Sequence, residues 1–125
     1  MEMNNSKIED LEIYQVALEI SDLIWNVVIK WDSFARNTVG GQLVRAIDSV
    51  GANLSEGYGR GSKIDNARFA KIARGSLFES KYWLIQANKR KLITAAEQNQ
   101  IISKIENLLP RISAYINYLL KNSKK

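Results

Sequence analysis

Residues Gln42 to Ser80, QLVRAIDSVGANLSEGYGRGSKIDNARFAKIARGSLFES, constrain the fold more than any other stretch. At about 100° per residue on an α-helix, Leu43, Ile47, Val50 and Leu54 fall on one side, while Arg45, Ser49, Ala52, Asn53 and Glu56 cluster opposite. The second stripe holds small and short hydrogen-bonding groups instead of long Lys and Glu, the composition of a face that another helix approaches closely. Gly57, Gly59 and Gly61 then supply a reversal. Gly57 is expected to end the first helix in a left-handed cap, and Ser62 to cap the next, with Asp65 in its first turn. An antiparallel hairpin folded at about Arg60 sets Asn53 near Arg68, Ser49 near Lys71 to Ile72, and Arg45 near Ser76. This register predicts a structural polar network of Arg45, Ser49, Asn53, Glu56, Ser76 and Glu79, with ion pairs Arg45–Glu79 and Glu56–Arg68. On it, Arg45→Ala would strand Glu79 in the interior at a cost of about 3–5 kcal/mol.

The remaining chain repeats the helical period. After a polar lead-in, Asp10 to about Trp31 contains no Gly or Pro and carries two apolar stripes: Leu11, Tyr14, Leu18, Trp25 and Ile29, and opposite them Ile13, Val16, Ile20, Leu23, Ile24 and Val27. A helix apolar on two sides is central in its domain or buried again in an oligomer, and in a chain of 125 residues the oligomer is the favoured expectation. Residues 32 to 41, DSFARNTVGG, are read as a loop in which Asn37 or Thr38 caps the second helix. The third helix is expected from Lys63 to Asn88, burying Phe69, Ile72, Ala73, Leu77, Trp83 and Leu84. The fourth starts at Thr94 with Glu97 three residues on, a capping-box spacing, and carries Pro110, where a kink is expected. The fold class that follows is all-α: one domain spanning 1–125, an antiparallel up-down-up-down four-helix bundle.

Residue inventory removes most chemistry. The chain has no Cys and no His, so thiol nucleophiles, imidazole acid–base catalysis and Cys/His metal sites are excluded. GYGRGS lacks the spacing and the Lys-Ser/Thr of a phosphate-cradling loop and follows a helix where nucleotide fingerprints need a strand. Asp48, Glu56, Asp65 and Glu79 form no catalytic or metal pattern, so neither an enzyme, a cofactor nor a metal is expected. No signal peptide or membrane span is evident, and a cytoplasmic location is expected. What remains is charge: a formal +5 and a pI near 9.5, which favours polyanions. Arg60, Lys63, Arg68, Lys71 and Arg74 descend from the reversal with Tyr58 beside them, and Lys89, Arg90 and Lys91 close the third helix. These are the candidate phosphate contacts.

The motifs around the reversal resemble the four-helix bundle family of 23S rRNA intervening-sequence proteins, which includes the accessory variability proteins of diversity-generating retroelements. Arg45, Ala46, Ser49, Asn53, Glu56 and Gly57 match one family helix; Ala73, Arg74, Gly75, Ser76 and Glu79 match the next; Leu11 and Tyr14 match the opening helix. The segment WDSFARNTVGGQL departs from the family's proline-containing loop. The resemblance implies a homo-oligomer, a five-membered ring with a central channel, and no catalysis; for the retroelement members it implies binding of nucleic acid and of a reverse transcriptase. The leading expectation is a non-enzymatic bundle that binds RNA or a DNA/RNA hybrid through basic surface. The alternative is a protein–protein interaction scaffold whose charge serves solubility alone.

Overall fold

The structure is a computed structural model describing residues 7–123; the start of the polar lead-in and the last two residues of the basic tail lie outside the described residues. Four long helices account for most of it: α1 (Glu12–Val28), α2 (Gly41–Tyr58), α3 (Lys63–Lys89) and α4 (Ala95–Lys121). Each of α1 and α3 packs on both α2 and α4, so α1 and α3 stand on opposite corners of the bundle. No strand occurs among the described residues.

Contacts fix the directions of neighbouring helices. Between α1 and α2, Ser21 Oγ donates to the Ile47 carbonyl at 3.4 Å and Val28 lies against Gly40. Between α2 and α3, the Ser49 and Ser76 hydroxyls share a hydrogen bond of 3.0 Å while Gly57 touches Asn66 and Phe69. Between α3 and α4, Arg74 donates to Ser113 at 3.1 Å and Lys81 pairs with Glu106 at 2.9 Å. In all three pairs the numbers rise on one helix as they fall on the other, so the neighbours run antiparallel.

The core is aliphatic on α1, α2 and α4, with Ile20, Ile24, Leu43, Ile47, Ile105 and Ile112 fully buried. On α3 it is mostly alanine: Ala67, Ala70, Ala73 and Ala87 are fully buried, with Leu77 and Leu84 the large side chains between them. Small residues let α3 sit close to α2 and displace the expected core members. Ile72 is exposed, and Phe69 and Trp83 are only half-buried.

The caps expected at Ser62 and Thr94 form. The Asp65 amide donates to Ser62 Oγ at 3.2 Å, and Thr94 and Glu97 make the reciprocal box, with the Glu97 amide on Thr94 Oγ1 at 3.0 Å and the Thr94 amide on Glu97 Oε1 at 2.9 Å. α4 runs as one element through Pro110.

Two local expectations are corrected. Gly57 does not end α2; it lies buried inside the helix, where an added Cβ would meet the Phe69 Cβ at 2.8 Å and Asn66 Oδ1 at 2.9 Å. The left-handed residue of the reversal is Gly61, with φ 83°. The hairpin therefore turns later than Arg60, and its register slides by about one helical turn. Ser49 meets Ser76 rather than Lys71 to Ile72. Second, residues 33 to 40 are helical, not a loop. Asp32, not Asn37 or Thr38, caps them by accepting from the Ala35 amide at 3.0 Å, and a π-turn over Arg36–Gly40 leads straight into α2. That widened turn lets Gly40 approach α1 closely, where any Cβ would lie 2.7 Å from Val28 Cγ1.

Candidate nucleic-acid interface

The cations along α3 differ in what surrounds them. At its start, Arg60 pairs with Glu56 at 3.1 Å and lies over the Phe69 ring, 4.8 Å from its centroid. Arg68 pairs with Asp65 on its own helix. Half-buried Arg74 is committed to Ser113 on α4. Only Lys63 and Lys71 of this group are exposed and outside any ion pair among the described residues.

The structural network is smaller than expected. Ser49, Asn53 and Ser76 do come together: Asn53 Nδ2 donates to both the carbonyl and the hydroxyl of Ser49, each at 2.8 Å. Neither expected ion pair exists. Glu56 turns to Arg60, and the exposed Glu79 carboxylate accepts from the Trp83 indole at 3.1 Å. Arg45, which the observed register sets level with Ser80, is exposed.

Arg45 instead belongs to the other end of the bundle. There α3 finishes in a Schellman arrangement, with the Leu92 amide on the Ala87 carbonyl at 2.9 Å and the Lys91 amide on the Asn88 carbonyl at 3.0 Å. The motif demands a left-handed residue, and Lys91 supplies it at φ 63°, the only non-glycine in that conformation among the described residues. A lysine in this conformation carries a backbone cost that glycine would not. Lys89, Arg90, Lys91 and Arg45 are all exposed and make no ion pair among the described residues.

Arg45 and Arg90 line a groove of about 380 Å³ together with Asn37, Thr38, Gln42 and Trp83. The Trp83 ring is held by its bond to Glu79 and by the edge of Tyr82, 4.9 Å between centroids at 79°. A second groove beside it, lined by Asp32, Phe34 and Leu92, shares Arg90, Thr38 and Val39, and Phe34 is 78 % exposed at its rim. Sequence reasoning named Arg90 as a candidate contact but did not bring Arg45, Trp83, Gln42 and Asn37 to its side. The available signal was Asp32, a capping residue three before Ala35: reading it as a helix start brings the 33–40 turn against the end of α3.

The family described as 23S rRNA-intervening sequence protein matches residues 9–114. The chain belongs to that family. Among solved structures, it is similar to a protein of unknown function from the S23 ribosomal protein family of Bacteroides thetaiotaomicron VPI-5482, with 23 % identity and a TM-score of 0.74 over 83 % of this chain and 97 % of that one. At that identity the likeness shows the shared fold. No curated protein matches the chain.

The family match spans α1, α2, α3 and most of α4, including both ends of α3. No helix among the described residues is long and apolar enough to cross a membrane, and no group of three or more acidic, His or Cys residues there could hold a metal ion.

Proposed function

We propose that this family member is a non-enzymatic, homo-oligomeric bundle that binds nucleic acid, RNA or a DNA/RNA hybrid, through basic surface, as an accessory to a ribonucleoprotein or a reverse transcriptase. The observation that carries the reading is a groove lined by Arg45, Arg90 and the Trp83 ring, at the end of α3 that Lys89 and Lys91 also close, with none of these four cations in an ion pair among the described residues. Phosphates need clustered cations whose charge is not already spent, and an aromatic at the same place adds a stacking surface.

Support for the oligomer is separate. On α1, Leu18, Trp25 and Ile29 face solvent; on α3, Ile64, Phe78, Tyr82 and Ile85 do so. Gly75 interrupts the α3 stripe with nothing within 4 Å of where its Cβ would stand, leaving room for a close helix. The two faces lie on opposite corners, the arrangement that suits a head-to-tail contact closing into a ring, as the expected pentamer requires. The same α3 stripe favours the second reading, a scaffold that docks a protein partner.

Fluorescence anisotropy with a labelled structured RNA and a matched DNA duplex over a salt series tests the first reading. Saturable binding whose log affinity falls steeply with log salt is the expected result. No binding at low salt overturns it and leaves the scaffold.

A further inference from the structure

We infer that the groove between the 36–40 π-turn and the end of α3 is a single-stranded nucleotide subsite, taking one unpaired base with its flanking phosphates. The inference rests on the nucleic-acid reading above and narrows it to one place and one form of ligand.

Three features of the groove point the same way. Its volume of about 380 Å³ lies at the lower end of small-ligand sites, which span about 300–1,000 Å³; a flipped-out nucleotide suits it and a duplex does not. Its two guanidinium groups, Arg45 and Arg90, come from different helices and border the groove, so a backbone crossing it meets a cation from each. Of the remaining polar lining, Thr38 spends its hydroxyl proton on the Phe34 carbonyl, while Asn37 and Gln42 offer side-chain amides, each carrying a donor and an acceptor. That pairing matches the exposed edge of an unpaired base, which a paired base hides.

Trp83 supplies the stacking surface. Its indole N–H is engaged by Glu79 and its ring is braced by Tyr82, so the plane is oriented before any ligand arrives. A π-turn is uncommon in helices and is concentrated at functional positions. Here it carries Asn37 and Thr38 into the lining.

The probe is a labelled twelve-nucleotide oligoadenylate, used single-stranded and annealed to its complement, in RNA and DNA forms, with anisotropy read over a salt series. Wild type is expected to prefer the single strand. Arg45→Gln and Arg90→Gln should each flatten the salt slope by about one unit, and Trp83→Leu should weaken single-strand binding about tenfold while leaving the duplex arm unchanged. A preference for the RNA form would assign the site to RNA, and equal binding to any unpaired strand; both support the subsite. Trp83 is half-buried, so circular dichroism accompanies its variant, and the exposed Arg90→Gln gives an answer independent of it. Wild-type-like single-strand binding by Arg45→Gln and Arg90→Gln, with loss in Lys63→Glu/Lys71→Glu, overturns the subsite and keeps the broader reading. Absence of binding by wild type overturns both.

Discussion

The two ends of α3, about 40 Å apart by helix rise, carry similar residues in the sequence and different partners in the structure. At the first end, Arg60 and Arg68 are matched to carboxylates within a turn of themselves, and Arg60 is further occupied by Phe69. At the second, Lys89, Arg90 and Lys91 are joined by Arg45 and face no carboxylate partner, and one of them is held in a left-handed backbone. The lesson is that cation density along a chain does not show which cations are already paired. What discriminates these arginines is whether a carboxylate stands within a turn of them. The first end packs its two arginines against neighbouring side chains, the second is the end proposed above for binding, and substitutions should separate them.

Gly57→Ala should give the largest effect on stability. Its Cβ would collide with the Phe69 Cβ and with the Asn66 side chain and backbone, and overpacking of this kind costs about 1–3 kcal/mol. Chemical denaturation should show that loss with polyanion affinity per folded molecule unchanged. A parallel loss of affinity would mean that the ends are not independent.

The same glycine shows where sequence reasoning stopped. Helix identities, the caps at Ser62 and Thr94 and the small polar seam that holds Ser49 and Ser76 were legible, because periodicity and capping are local. The hairpin register was not. Three glycines within five residues each offered a reversal point, and the packing of Gly57 against Asn66 in the first turn of α3 and against Phe69 leaves the positive φ to Gly61, a choice between helices that periodicity does not carry. The observed register leaves Arg45 level with Ser80, beside Glu79 in sequence, yet that carboxylate bonds Trp83 on its own helix and Arg45 lines a groove. The groove itself escaped because DSFARNTVGG, with two terminal glycines, reads as a loop unless Asp32 is taken as a cap.

Alkaline pH probes the packed end by itself. Tyr115 lies beneath it, accepting from the buried Asn66 amide at 3.0 Å, and burial raises its pKa above the ordinary value of 10.0. Above about pH 10 the unfolded chain releases the phenolic proton while the folded chain keeps it, so stability falls as pH rises through that range. The fall should be shallower in Tyr115→Phe, compared with wild type by denaturation at pH 8 and pH 10.5. Equal slopes would show that this buried pair does not couple to titration.

Lys91→Gly tests the cost of keeping a cation at the second end. Glycine relieves the left-handed strain but loosens the unfolded chain, and the balance favours the variant by about 0.5–1 kcal/mol. The melting temperature should rise while the salt slope of binding shallows. A variant that melts lower would show that Lys91 makes a stabilising contact, and the argument from strain would fall.

Arg45→Ala is expected to change stability least, and for that reason it bears most directly on the contrast between the ends. Had the earlier register held, removing Arg45 would strand a buried carboxylate. In the structure Glu79 is exposed and already accepts from Trp83, so deleting the guanidinium leaves no polar group unpaired in the interior. Surface substitutions of this type stay within about 0.5 kcal/mol, and denaturation should place Arg45→Ala inside that band while its affinity for a single-stranded probe declines. A loss of several kcal/mol would return Arg45 to the polar seam between α2 and α3. The cation cluster at the second end would then be reduced to the three consecutive residues that close α3, whose charge a helix C-terminus favours without any ligand.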